Sequence, residues 1–123
     1  MTRTIHAYFT QKPIKNPVDI NLWPFHYHHF HKWHDHANLH EYLRRTFIRK
    51  GGIGEEFFQQ EVQLTLADIN QLEGLILVDA LPQSDDEFYP PADDASHRDA
   101  SLQFIEKARA LIKAGFNVYC TVW

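Results

Sequence analysis

The apolar residues between positions 99 and 123 change their period partway along, and that change constrains the fold more than any other feature of the chain. Up to Gly115 they recur every three or four residues, as on one face of a helix, with Asp99 or Ser101 as the predicted N-cap. From Phe116 to Trp123 they alternate with more polar residues, as in a strand with one buried face. A helix followed at once by a strand predicts a domain that mixes both elements.

The rest of the chain continues this mixture. The patterns predict a strand over residues 4–9, a helix over 30–49 that stops at Gly51-Gly52, a strand over 57–64 and a helix over 66–77. Thr65 followed by Asp68 is close to a capping box at the start of the last of these. We therefore expect a single α+β domain over residues 1–123. A small, mainly antiparallel sheet of about three strands should pack against three helices, in the order β-α-β-α-α-β.

The helical stripes and the inner row of the final strand define a predicted core. Its members are Leu39, Leu43, Phe47, Leu66, Ile69, Leu72, Phe104, Ile105, Ala108, Ile112, Val118 and Cys120. Because Cys120 lies in the middle of an apolar row, the sequence favours a buried, inert thiol over a nucleophile.

Two segments show neither the helical nor the strand spacing of apolar residues. Residues from about 11 to 29 are rich in proline and histidine, and they predict an irregular connection that packs Leu22, Trp23 and Phe25 on the domain. Residues from about 83 to 97 contain prolines and acidic side chains but no lysine or arginine, and they predict an exposed acidic loop with Phe88 and Tyr89 at its centre.

The net charge of −4 conceals a strong division along the chain. Residues 1–50 hold eight Lys/Arg and three Asp/Glu, whereas residues 51–123 hold four and thirteen, so the two parts carry +5 and −9. Only Arg44, Arg45, Arg49 and Lys50 cluster, either as cations at the C-terminus of a helix or as a site for an anion or an acidic partner. So few clustered cations predict no binding to random duplex DNA at physiological salt.

The predicted cellular compartment and the question of catalytic activity depend mainly on sequence features that are absent. One cysteine permits no intrachain disulfide, the N-terminus has no apolar signal segment, and no apolar run approaches the ~18 residues of a membrane helix, so we expect a soluble, cytoplasmic protein. The run Gly51–Gly54 lacks the lysine and spacing of a phosphate loop, and the three serines lie in no nucleophile-elbow context. No feature supports an enzyme.

Seven of the nine histidines fall between positions 26 and 40. His36 and His40, at i and i+4 of a helix, could present two nitrogens to a zinc ion, with His31, Asp35 or Glu41 as the third ligand. The spacing matches no defined metalloenzyme motif, because the glutamate after His40 is not followed by a second histidine. Hydrogen-bonding surface residues and a pH-sensitive contact surface are the alternatives, so we expect no cofactor and keep zinc open.

One further pattern extends over much of the chain and consists of Lys32-Trp33-His34-Asp35-His36-Ala37-Asn38-Leu39-His40-Glu41-Tyr42-Leu43, Gly51-Gly52, Leu64-Thr65, Asp68, Leu72-Glu73, Leu81-Pro82, Asp99, Phe104-Ile105, Ala108-Arg109, Ile112, Gly115, Val118-Tyr119 and Trp123. This set of residues resembles a family of small uncharacterised proteins encoded in tailed-phage and prophage genomes. Members are often labelled phosphoglycerate kinase, but 123 residues are too few for that two-domain kinase.

The resemblance, which covers residues 30–123, implies a phage accessory protein that binds and modulates or inhibits a host protein or defence complex. Stoichiometric occupancy would then use the charge division for steering and Trp33, Phe88 and Tyr89 as aromatic anchors. The alternative is a small-ligand or metal site at the start of the first long helix. The predicted binding residues of both hypotheses, with one arginine of the basic cluster, are Trp33, His36, Asn38, His40, Arg44, Phe88 and Tyr89.

Overall fold

The computed structural model describes residues 3–11, 17–18, 27–54, 56–82 and 94–123. Its elements are β1 (Thr4–Thr10), β2 (Tyr27–His34), α1 (Ala37–Arg49), β3 (Glu61–Leu64), α2 (Leu66–Leu77), α3 (Asp94–Lys113) and β4 (Asn117–Val122). Three helices and an antiparallel sheet confirm the predicted α+β class for this part of the chain, with four strands where about three were expected. Among the described residues, no helix combines the length and the apolar character that crossing a membrane requires.

The strands lie in the order β2-β1-β4-β3, and every pair is antiparallel. In the centre of the sheet, Ile5 of β1 faces Val122 of β4 on one side and Trp33 of β2 on the other. At the β3 edge, Val18 forms an isolated bridge to Val62. Of the four described strands, the first and the last, β1 and β4, are therefore the two central ones.

The helices pack on one face of the sheet and bury a single core. Phe47 of α1, Leu72 of α2 and Phe104 of α3 join the inward-facing strand residues in that core. Ten of the twelve predicted core residues are buried, and the other two, Leu66 and Ile112, are half-buried. The apolar patterns therefore identified the core correctly.

The helix predicted over residues 30–49 was wrong at its start, because residues 27–34 form β2 and α1 begins only at Ala37. The register of β2 against β1 shifts between Ala7 and Tyr8, so that Phe30 is an extra residue. This β-bulge interrupts the alternation of inward and outward side chains that would have revealed a strand. After β2, Asp35 adopts φ +53°, which turns the chain into α1.

The ends of the other helices show which local signals were reliable. α2 spans the predicted residues, and Thr65 and Asp68 form the full capping box. α1 ends before Gly51, whose φ of +101° suits glycine, and the amide of Gly52 donates to the carbonyl of Phe47 at 2.9 Å. α3 begins at Asp94, earlier than the predicted start at Asp99 or Ser101, so the acidic segment is helical from residue 94 onward.

Several predictions fall on residues outside the described part of the chain. These are the packing of Leu22, Trp23 and Phe25 in the irregular connection and the exposed loop over residues 83–93. Of that connection, the structure describes Pro17, whose carbonyl accepts a hydrogen bond from the amide of Gln63 at 2.7 Å. Residues 27–29, which were assigned to the connection, belong to β2.

Candidate functional site

A cleft of about 340 Å³ opens between α1, α2 and the chain that follows α2. Its lining residues, hereafter the arginine cleft, are Tyr42, Arg45, Thr46, Arg49, Gln71, Leu75, Ala80 and Pro82. The four from α1 recur at i, i+3, i+4 and i+7, so one face of a single helix presents them. Leu75, Ala80 and Pro82 supply the apolar part of the lining.

Two carboxylates hold four cations beside the arginine cleft. Glu41 accepts from Arg44 and Arg45, at 2.8 Å in each case. Asp68 accepts from Arg49 at 2.8 Å and from the ammonium of Lys50. Four cations against two carboxylates leave this cluster with a formal charge of +2.

Asp68 connects the two helices that form the cleft. Besides the two cations, its carboxylate accepts from the amide and the hydroxyl of Thr65 at 2.8 and 2.9 Å, and its side chain is only 5% exposed. Burial by itself raises the pKa of Asp68, but the hydrogen bonds from Lys50, from the backbone of Thr65 and from Arg49 outweigh it, and the pKa is lowered. The carboxylate therefore stays ionised at neutral pH and holds the end of α1 against the start of α2.

The tyrosine of the cleft is a hydrogen-bonding group and not a base. The Tyr42 hydroxyl lies 3.1 Å from the carbonyl oxygen of Asp68 and 3.1 Å from Oε1 of Gln71, either of which accepts its proton. Burial, with the charge of Asp68 as a smaller contribution, raises the pKa of Tyr42 to about 12. Among the described residues that line the arginine cleft, none is a histidine, a cysteine or a carboxylate, and what these residues offer a ligand is hydrogen-bond donors and apolar contacts.

The arginines of the cleft reach solvent. The side chains of Arg45 and Arg49 are 61% and 58% exposed, whereas their carboxylate partners are 14% and 5% exposed. A carboxylate of a ligand can therefore approach each guanidinium from the solvent side, where the planar group still has donors to offer.

The predicted residues at the start of α1 are all buried: Trp33, His36, Asn38 and His40 are between 3% and 5% exposed. None of them lines the arginine cleft. Nε2 of His40 lies 2.8 Å from the carbonyl oxygens of Glu56 and Phe57, so this nitrogen carries the proton and donates. It therefore offers no lone pair to a metal ion.

His36 and Trp33 pack against α3. The ring of His36 stacks on His97 at 4.3 Å, and burial, followed by the charge of His97, lowers the pKa of His36 to about 3. Nε1 of Trp33 donates to the hydroxyl of Ser101 at 3.2 Å, and its ring contacts Phe104. Trp33 is thus a core residue and not an exposed anchor. Ser101 lies inside α3, where its hydroxyl accepts the hydrogen bond from Trp33, and it is not the N-cap of that helix.

The structure places the remaining predicted site residues as follows. Arg44 lies on α1 next to the arginine cleft and forms a two-point ion pair with Glu41, with both nitrogen–oxygen distances at 2.8 Å. Phe88 and Tyr89 lie outside the described residues. Within the described part of the chain, no group of three or more His, Cys, Asp or Glu is arranged to hold a metal ion.

Sequence reasoning noticed the basic cluster but missed the residues that complete the cleft. Gln71, Leu75, Ala80 and Pro82 have no distinctive spacing. They lie beside α1 because of tertiary contacts between the helices, among them the ion pairs of Asp68 and the hydrogen bond between Tyr42 and Gln71. The capping box at Thr65 was a signal for the position of Asp68, although not for its two cationic partners.

Comparison of the chain with protein-family models, with curated proteins and with solved structures finds no match in any of the three.

Proposed function

We propose that this chain is a phage or prophage accessory protein that binds a host protein or defence complex and modulates or inhibits it by stoichiometric occupancy in the cytoplasm of the infected cell. The observation that carries the proposal is the arginine cleft, where an apolar lining adjoins a cluster of charge +2. The phage origin rests on the sequence resemblance alone.

The chemistry of the cleft favours one kind of occupant, an acidic segment of a partner protein that carries an apolar side chain. Leu75, Ala80 and Pro82 would receive the apolar side chain, and Arg45 and Arg49 would pair with the flanking carboxylates. Arginine and tyrosine are the residues most often found where a few side chains carry most of the binding energy.

The neighbouring charges support capture of an acidic partner. The surplus of two positive charges on α1 attracts such a partner at long range, and electrostatic steering raises association rates more than it strengthens the final complex. Because α1 and α2 are held together by Asp68, the cleft is already formed before a partner arrives.

The alternative, a small-ligand or metal site at the start of α1, has less support. The four residues expected there are buried, the ring of His36 stacks on His97, and Nε2 of His40 donates to backbone carbonyls. Phe88 and Tyr89 stay predicted anchors of a second contact.

The proposal is tested by comparing what the wild-type chain and two charge-reversal variants capture from a host lysate. Arg45→Glu reverses a charge in the cleft, whereas Lys113→Glu reverses an exposed charge at the end of α3 and is the matched control. A partner that uses the cleft should be lost from Arg45→Glu, with recovery lowered by about ten-fold or more, and be retained by Lys113→Glu. Leu75→Asn, which alters the apolar lining, should lower recovery as well.

The captured partner is then purified and titrated. Occupancy predicts that inhibition is complete near one chain per target site and that the rate of association falls as salt is raised. Complete inactivation of the target by a small fraction of an equivalent, or equal recovery with wild type, Arg45→Glu and Leu75→Asn, would contradict the proposal.

A further inference from the structure

The face of the sheet opposite the helices carries a pair of histidines on neighbouring strands. Nδ1 of His6, on β1, lies 3.2 Å from Nε2 of His29, on β2, and their ring centroids are 5.2 Å apart. His29 is exposed and His6 is half-buried, so solvent reaches the pair. Neither residue belongs to the arginine cleft or was among the predicted metal ligands.

The bulge in β2 creates this pair. If the register set by Ala7 and His31 continued without a bulge, His29 would lie opposite Phe9 and would point toward the helices, as His31 does. With the bulge, the rings of Phe30 and His31 both contact the ring of Phe104 on the helix side. Their ring centroids lie 5.7 and 5.8 Å from that of Phe104. His29 consequently turns to the opposite face, beside His6. Bulges commonly re-aim a side chain in this way next to functional sites.

The separation of the two nitrogens suits a metal ion. A zinc–imidazole bond is about 2.0–2.1 Å, so two imidazole nitrogens on one tetrahedral ion are about 3.3 Å apart. The observed 3.2 Å is close to that value, and each ring would turn by roughly 35° to direct its lone pair at one shared tetrahedral ion. Two strands of a sheet hold the rings at this distance in advance of any ion.

We propose that His6 and His29 form a two-histidine site for one divalent transition-metal ion, bound through Nδ1 of His6 and Nε2 of His29, with water in the remaining positions. Imidazole suits copper, nickel and zinc, and Cu²⁺ should bind most tightly of these. Before binding, one of the two facing nitrogens carries a proton and donates it to the other. On binding, that ring moves its proton to its other nitrogen through solvent, so that both facing nitrogens offer a lone pair to the ion.

The surroundings of the pair predict a moderate, exchangeable affinity. Lys32 faces His6 directly across the strand pair, and its positive charge opposes a cation. His34 also acts on His6 electrostatically, and its Nδ1 lies 3.2 Å from the hydroxyl of Thr4. The ring of Tyr8 packs edge-on against His29, with ring centroids 5.2 Å apart, and stacks on Tyr119, with ring centroids 5.4 Å apart. These contacts restrict the orientation of the His29 ring.

The test titrates the full chain with Cu²⁺ alone and with Zn²⁺ alone, by calorimetry, and identifies the copper ligands by electron paramagnetic resonance. His29→Gln and His6→Gln each remove one ligand, and His28→Gln removes the adjacent exposed histidine, which stacks on Phe9 instead, as the matched control. Loss of a residue that only hydrogen-bonds to a metal ligand lowers metal affinity by about 10–100-fold. Loss of a ligand itself should therefore lower the affinity by at least about ten-fold. Circular dichroism checks that each variant is folded.

The results that support and oppose the site are distinct. The site predicts one ion of moderate affinity per wild-type chain, nitrogen splitting from two imidazoles, loss of that signal in His29→Gln, and unchanged binding in His28→Gln. Lys32→Gln should raise the affinity, because it removes an opposing charge, and a purely structural histidine pair would not respond in this way. Unchanged affinity and spectrum in both His6→Gln and His29→Gln, or an equal loss in His28→Gln, would overturn the proposal.

Discussion

Replacing Asp68 with asparagine tests how much one buried carboxylate contributes to joining α1 and α2. The Lys50 side chain is 13% exposed, so the mutation leaves a largely buried ammonium without its charged partner, and a hydrogen bond to a charged group contributes about 1.5–3 kcal/mol. The Arg49 side chain is 58% exposed, so its ion pair contributes only about 0–1 kcal/mol. Asparagine also weakens the cap of α2, where such caps contribute about 0.5–2 kcal/mol.

These contributions share one carboxylate and are not additive, so we expect Asp68→Asn to lower the free energy of unfolding by about 3 kcal/mol at pH 7. For a domain of this size that corresponds to a Tm lower by roughly 10–15 °C. Urea denaturation followed by circular dichroism measures the first quantity, and a thermal scan the second. Glu73→Gln is the matched control, because it removes the same charge from a carboxylate that also binds an arginine, Arg109, but is 34% exposed. Its effect should be much smaller.

The same variant tests the pH dependence. The pKa of Asp68 is lowered below its ordinary 3.8 in the folded chain, so its stabilising contribution is complete above about pH 4 and is lost as the pH falls through the folded pKa. The difference in stability between wild type and Asp68→Asn should therefore be constant near neutrality and shrink in acid. Two results would contradict this role of Asp68. One is that Asp68→Asn is as stable as Glu73→Gln at pH 7, and the other is that the stability difference between wild type and Asp68→Asn does not shrink in acid.

Three further predictions follow from the core and the charges. Leu43 is fully buried, so Leu43→Ala should lower the free energy of unfolding by about 2–5 kcal/mol in urea denaturation, whereas Ile53→Ala, at an 87% exposed position, should change it little. Burial raises the pKa of the Cys120 thiol, so an aromatic disulfide reagent should leave it unmodified in the folded chain and modify one thiol per chain in denaturant; rapid reaction of the folded chain would contradict this. Random duplex DNA should give no gel shift at physiological salt, and a salt-resistant, submicromolar shift would refute the argument from charge.

The sequence alone predicted the elements whose signals are local. The capping box and the apolar spacing defined α2 from Leu66 to Leu77, because both act between residues three or four positions apart. The alternation after Gly115 likewise identified β4, and the stripes identified most of the core. Each of these depends on contacts that any segment with that pattern would make in a globular domain.

Local signals failed where long-range pairing decided the structure. Residues 30–34 were predicted as the beginning of a helix and residues 27–29 as irregular connection. Together they form a strand because they pair with β1, whose residues lie 17 to 30 positions earlier in the chain. The bulge at Phe30 interrupts the alternating pattern by which that strand could have been predicted. The start of α3 at Asp94 was not predicted either, because no N-cap was identified there. Propensity and periodicity describe one segment at a time and do not report its partner.

The sequence by itself determined the fold class, most of the core, the capping box of α2 and the presence of a basic cluster on α1. Only the tertiary structure decided that Asp68 pairs with both Arg49 and Lys50, that the arginine cleft lies between two helices, and that His6 meets His29 on the face of the sheet opposite the helices. The physical reason is distance along the chain: these groups are 18 to 23 residues apart or further, and only packing and strand register bring them within hydrogen-bonding range.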